Sequence, residues 1–228
     1  MKNKCAVFVA GLFLCILYGF NFFSPQGKIT ETPEYLIYTP SELSQGVLYP
    51  LVIAFSPGAE AQQMIQLWQN VADERKWLIL ASRKFRNGVD PSPVFAQLYT
   101  DIIQGRLNLP VDRKWVLATG LSGGGMGSHM FAFAYPDLVS AVVINTGMMD
   151  AEYYYPKKKD YPQNKIAVFL ASPTDFRYNE MKRDRIFLEE LGWKTKWIEF
   201  QGGHVLAPQS VYSEAAEWLA RQWMGAGL

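Results

Sequence analysis

At 228 residues and a formal net charge of +1, the chain is long enough to bury a sizeable core as one domain. Its balanced charge leaves no electrostatic footprint for nucleic acid. The two cysteines, Cys5 and Cys15, both fall in the N-terminal segment, so the rest of the chain has no disulfide, thiolate metal site or cysteine nucleophile. Met1-Lys2-Asn3-Lys4 forms a short basic head, and Cys5 to Tyr18 runs without a charged or strongly polar side chain before Gly19-Phe20-Asn21-Phe22-Phe23. Residues 1–24 therefore read as a secretory signal or an uncleaved N-terminal anchor. The basic head favours export of the downstream chain, to a periplasmic or extracellular place or to a membrane face held by residues 5–23. No clear small-x-small cleavage site follows the run, and Leu14 before Cys15 does not match a lipoprotein box. Membrane contact is expected only through this segment.

Residues 25–228 form the expected domain, in which from about residue 33 on short apolar runs alternate with amphipathic stretches. Tyr35–Tyr38 reads as a strand ended by Thr39-Pro40, and Pro50–Phe55 as a buried strand stopped by Ser56-Pro57-Gly58. Gln62–Arg75 carries Ile65, Trp68, Val71 and Ala72 at helical spacing. Trp77–Ala81 is the next strand and Val94–Leu107 the next helix. Trp115–Leu121 is a strand, and Gly124–Tyr135 a helix ended before Pro136. Ser140–Ile144 and Lys165–Ala171 are strands, and a helix covers about Asn179–Leu191. Lys194–Phe200 is the last strand and Gln209–Met224 the last helix, with Ala215, Trp218, Leu219 and Trp223 on one face. Such alternation predicts an α/β fold with a mostly parallel sheet and helices on both faces. Ligands in such sheets sit beyond the C-terminal strand ends.

Gly120-Leu121-Ser122-Gly123-Gly124 reads G-x-S-x-G, between the strand ending at Leu121 and the helix from Gly124. A serine hydroxyl is a poor nucleophile unless a sharp strand-to-helix turn presents it beside a base, and the flanking glycines permit the close backbone approach of such a turn. The serine also needs a histidine base and an acid to fix its tautomer. The chain has only two histidines. His204 follows the last strand in Gln201-Gly202-Gly203-His204. His129 lies seven residues into the helix opened at Ser122, about 10 Å along its axis, which reads as a packed or surface residue. Asp175, in Ser172-Pro173-Thr174-Asp175, closes the strand preceding that of the histidine and is the expected acid; Asp150, after Thr146-Gly147-Met148-Met149, is the alternative. For the oxyanion hole, the Gly123 N–H at the helix N-terminus is one expected donor. The other is expected from Ser56-Pro57-Gly58-Ala59; proline has no N–H, so Gly58 is preferred, with Ala59 second.

From about Tyr35 onward these residues resemble the α/β-hydrolase superfamily, and within it the small uncapped esterases of the carboxylesterase, dienelactone-hydrolase-like and polyhydroxybutyrate-depolymerase-like types. The matching stretches are Gly120–Gly124, Pro173-Thr174-Asp175 and Gly202-Gly203-His204. The resemblance implies an α/β-hydrolase fold, a Ser122, Asp175, His204 triad and ester hydrolysis through an acyl-enzyme. Family members usually carry His-Gly at the oxyanion loop, where Ser56-Pro57-Gly58 stands here.

Rival motifs fail. A phosphate loop needs Lys and Ser or Thr after Gly125, where Met126-Gly127 stand, and a dinucleotide fingerprint breaks at Ser128. No His, Asp and Glu cluster has metal spacing, so neither metal nor cofactor is expected. Tyr153-Tyr154-Tyr155-Pro156 followed by Lys157-Lys158-Lys159 reads as a solvated loop, with a pocket wall or a basic anchor to an anionic surface as the alternative. The stretch from Met148 to Asn164 is too short for a large cap, so the site is expected to be open, with Met148 and Phe176 as substrate-binding residues. The sequence points to a serine hydrolase acting on a small-molecule or polymeric acyl ester. The same residues would serve a thioesterase or peptidase. A non-catalytic, membrane-tethered binding protein on the same fold is the reading of a different class.

Overall fold

The computed structural model describes residues 27–225, and the expected N-terminal signal or anchor segment lies outside the described residues. No helix among them is long and apolar enough to cross a membrane. The strands are β1 (Lys28–Glu31), β2 (Tyr35–Thr39), β3 (Tyr49–Phe55), β4 (Leu78–Ser82), β5 (Val111–Leu121), β6 (Ala141–Asn145), β7 (Ile166–Ala171) and β8 (Lys194–Glu199). The helices are α1 (Ala61–Arg75), α2 (Ser92–Ile103), α3 (Gly123–Ala134), α4 (Ala151–Tyr154), α5 (Tyr178–Glu189) and α6 (Gln209–Gly225).

The eight strands form one sheet in the order β1-β2-β4-β3-β5-β6-β7-β8. From β4 to β8 neighbouring strands run parallel, whereas β1 and β2 add an antiparallel edge. The central strands are apolar along their length because both faces are covered, so alternate side chains enter two different cores. In β3, Leu51, Ile53 and Phe55 join one cluster while Val52 and Ala54 join the other. The first cluster packs under α2, α3 and α5 through Phe95, Leu98, Phe131, Phe187 and Leu188. The second packs under α1 and α6, where Trp68 meets Tyr212 edge-on with ring centroids 5.3 Å apart.

The expected strands and helices occur with boundaries moved by a few residues, and three short elements are additional: β1, α4 and a 3-10 turn at Tyr155–Lys157. Strand β1 is exposed at all four positions and exists through its ladder to β2, with Lys28 opposite Thr39 and Ile29 opposite Tyr38. The tyrosine run departs from the solvated loop expected for it. Tyr154 is buried in the α3 and α5 core, Tyr155 stacks on Phe187 at 4.5 Å, and the Tyr155 hydroxyl donates to buried Asp184 at 2.8 Å. Tyr154 and Tyr155 carry too much apolar surface to stay solvated beside an open core, whereas Tyr153 remains exposed. Lys159 is exposed, Lys157 and Lys158 are half-buried, and Lys157 Nζ lies over the Tyr153 ring.

The short α4 is the largest excursion between β6 and β7. No large cap therefore covers the C-terminal ends of the strands among the described residues, where the β3–α1, β4–α2, β5–α3, β7–α5 and β8–α6 loops converge.

Candidate active site

Ser122 sits at the junction of β5 and α3 with φ 52° and ψ −117°, a backbone state that costs a non-glycine residue of order 1–3 kcal/mol. Its surroundings hold it there. The Ser122 N–H donates to the Asn145 carbonyl at 2.9 Å, and the Ser122 carbonyl accepts from Met126 N–H at 3.1 Å. The flanking glycines have a steric reason. A Cβ on Gly120 would stand 2.2 Å from the Gly124 carbonyl carbon, and one on Gly124 would stand 2.2 Å from the Phe55 carbonyl oxygen. Both collisions are with backbone, so neither can be relieved by a side-chain rotation.

His204 Nε2 lies 2.8 Å from Ser122 Oγ, and His204 Nδ1 lies 2.7 Å from Asp175 Oδ2. A carboxylate only accepts, so Nδ1 carries the proton and Nε2 is left to accept from the serine hydroxyl. The Asp175 side chain is fully buried, and its other oxygen accepts from Arg177 N–H at 2.6 Å. The three elements needed for this line are far apart in sequence and meet because their strands all end at the same edge.

The loop bearing His204 is shaped by two glycines in the left-handed region, Gly202 at φ 144° and Gly203 at φ 75°. It is fastened on both sides. Upstream, Gly203 N–H donates to Ser172 Oγ at 2.9 Å. Downstream, buried Asn145 at the end of β6 uses its whole carboxamide: Nδ2 donates to the Val205 carbonyl and to Thr146 Oγ1, each at 3.0 Å. Its Oδ1 accepts from Ala207 N–H at 2.7 Å and from the Tyr212 hydroxyl at 2.8 Å. Asn145 thus ties the serine turn, through its carbonyl, to the histidine loop, through its side chain. It was not among the residues expected at the site; its signal in the sequence is an amide placed directly after the apolar run Ala141–Ile144.

Of the other expected residues, Asp150 is not the partner of His204. It caps α4, with Oδ1 accepting from Tyr153 N–H at 3.1 Å. His129 is fully buried in α3, with Nδ1 3.4 Å from the Tyr161 hydroxyl. Burial drives its pKa down to about 3, so it stays neutral and belongs to the core. Met148 lines a cavity of about 260 Å³ beside Ser122, together with Asn87, Gly88, Gly123, Met126, Thr146, Gly147 and Arg177. Phe176 does not line that cavity. It lies exposed over the imidazole, with ring centroids of Phe176 and His204 4.5 Å apart.

Gly123 N–H opens α3 beside the serine, and an N–H in the first turn has no acceptor within its helix. Gly58 departs from its expected part. Its N–H donates to Glu60 Oε2 at 2.9 Å, and the Ala59 N–H donates to the Ser56 carbonyl at 3.1 Å. The Ser56 hydroxyl donates to the same Glu60 carboxylate and is the main cause holding that carboxyl below its ordinary value. Both donors expected from this loop are therefore consumed inside it. The acidic residue two positions beyond Gly58 closes the loop on itself.

A second, more apolar groove of about 390 Å³ adjoins the first across Met126 and is walled by Phe95, Met130, Phe133, Tyr153 and Tyr154. No His, Cys, Asp and Glu group that could hold a metal ion occurs among the described residues.

No protein-family model matches the chain, and no curated protein matches it in sequence. Solved structures do match in fold. A thermostable esterase aligns at 20% identity and a TM-score of 0.61 over 86% of this chain and 62% of that one. A fluorophosphonate-binding serine hydrolase F of Staphylococcus aureus aligns at 13% identity and a TM-score of 0.64 over 87% and 99%. The Bacillus cereus carboxylesterase aligns at 16% identity and a TM-score of 0.63 over 84% and 95%. The chain thus spans less than two thirds of the thermostable esterase and nearly the whole of the other two.

Proposed function

We propose that this chain, whose fold is that of the α/β-hydrolases, is a serine hydrolase that cleaves carboxylic esters through an acyl-enzyme. One observation carries the reading: a strained Ser122 with its hydroxyl 2.8 Å from His204 Nε2, and His204 Nδ1 2.7 Å from a buried carboxylate. Strain at a serine and a fully buried acid both cost folding energy, and a nucleophile and its base account for both. Ser122 Oγ attacks the ester carbonyl while its proton passes to Nε2, and Asp175 holds the resulting imidazolium. Collapse of the tetrahedral intermediate breaks the bond to the alcohol oxygen, which takes the proton from Nε2. Water, deprotonated by the same nitrogen, then releases the acid and restores Ser122. Gly123 N–H and the α3 N-terminus face the developing oxyanion.

The uncapped site and the groove past Met126 suit an ester with an extended or apolar acyl group. The N-terminal apolar segment suits work beyond the cytoplasmic membrane, as an exported or anchored protein. The test is hydrolysis of p-nitrophenyl esters from acetate to octanoate by the full chain beside Ser122→Ala. Turnover that rises toward the longer acyl chains and vanishes in the variant is expected; turnover that persists in the variant would refute the assignment. The β3–α1 loop, with its Gly58 and Ala59 N–H groups engaged within it, favours a second reading, a binding protein that retains the fold without turnover. A folded protein inert to every ester in the series would select that one.

A further inference from the structure

We infer that the side-chain amide of Asn87 supplies the second oxyanion donor; this rests on the hydrolase reading above. A tetrahedral intermediate places a full negative charge on the former carbonyl oxygen, and a single backbone N–H is a thin cradle for it. The two N–H groups expected to serve as the second donor are both engaged, Gly58 with Glu60 and Ala59 with the Ser56 carbonyl. Asn87, in the loop between β4 and α2, stands opposite. Its backbone N–H donates to the Pro57 carbonyl at 2.9 Å, which fixes the residue to the edge of that same loop. Its carboxamide is packed on Gly123 so closely that a Cβ there would lie 1.9 Å from Oδ1 and 2.7 Å from Nδ2. Asn87, Gly123 and Ser122 wall one cavity.

The lack of a side chain at Gly123 leaves room for the Asn87 amide against its Cα, next to the N–H that opens α3. A neutral carboxamide suits the role, since it donates without competing with His204 for the serine proton. Asn87 then touches the reacting oxygen and counts as a catalytic residue.

The experiment measures p-nitrophenyl butyrate hydrolysis by the full chain and by Asn87→Ala, Asn87→Asp and Ser122→Ala, with affinity for an alkyl trifluoromethyl ketone, whose hemiketal carries the same oxyanion. Loss of one such donor lowers kcat by about 100-fold. Asn87→Ala should lose about that much kcat with KM little changed, and should lose ketone affinity in the same proportion. Asn87→Asp keeps the shape but only accepts, so it should be slower still; a purely packing role would leave it the more active of the two. An active wild type with Asn87→Ala within threefold of it, or with unchanged ketone affinity, would overturn the inference while the hydrolase reading stands. A wild type no faster than Ser122→Ala would overturn both.

Discussion

Replacing Asn145 by alanine tests how the histidine loop is held. The substitution removes four hydrogen bonds, to Thr146 Oγ1, the Val205 carbonyl, Ala207 N–H and the Tyr212 hydroxyl. Each is worth about 0.5–1.5 kcal/mol net, and a buried group left without a partner costs about 1–3 kcal/mol. Tyr212 is fully buried and Ala207 nearly so, so water cannot replace the amide without opening the core. The sum is about 4 kcal/mol, which for a domain of this size lowers the melting temperature by about 8–16 °C. The loop between Val205 and Ala207 would then shift, and His204 Nε2 with it. A displacement of about 1 Å at a reacting group costs about 100-fold in rate. Thermal denaturation followed by circular dichroism, and ester turnover at a temperature where the variant stays folded, read the two effects separately. Stability within 1 kcal/mol of wild type together with unchanged kcat would refute the idea that this side chain holds the loop.

Asp184 predicts a pH dependence. Burial raises its carboxyl to about 6, opposed by the bonds from Met149 N–H and Tyr155. The folded protein therefore binds this proton more tightly than the unfolded chain, so its contribution to stability is complete below about pH 4 and is lost as the pH rises through 6. The shift corresponds to about 3 kcal/mol. Urea unfolding at pH 4.5 and pH 7 should show wild type losing stability relative to Asp184→Asn over that interval; parallel profiles would contradict this. Phe176→Ala bares the imidazole that the ring covers. Loss of about 1 kcal/mol of aromatic contact should lower kcat roughly fivefold with little effect on melting temperature; an unchanged kcat would leave Phe176 without a part in the site. Gly124→Ala drives a methyl group into the Phe55 carbonyl and should cost about 3 kcal/mol or more, visible as a lowered urea midpoint. A wild-type midpoint would mean that the turn has room that the backbone contact denies.

The sheet was readable because its central strands are continuous apolar runs bounded by proline and glycine, and burial on both faces leaves no other place for such runs. The serine turn was readable for a different reason: Gly120 and Gly124 mark contacts that only glycine permits. His204 followed from elimination, and Asp175 from its place at the end of the preceding strand. The features the sequence does not display are those set by partners remote in it. Strand β1 is a polar four-residue stretch that only pairing with β2 orders. Tyr154 and Tyr155 are tyrosines beside lysines, and their burial depends on Phe187 and Asp184 in α5. Gly58 has the backbone freedom of a donor residue, yet Glu60 decides where its N–H points. Asn87, followed by Gly88, resembles any turn; its closeness to Gly123 exists only once β4 and β5 flank β3.

The central claim is that Ser122 is an activated nucleophile, and covalent labelling tests it most directly. The folded wild-type chain, Ser122→Ala and His204→Ala would each be incubated with a fluorophosphonate and analysed by intact mass and peptide mapping. An activated serine gives one phosphonyl adduct on Ser122 in wild type, none in Ser122→Ala, and labelling slowed by about 100-fold or more in His204→Ala. Folded wild-type protein that remains unmodified, or that is modified at another residue, would contradict the claim.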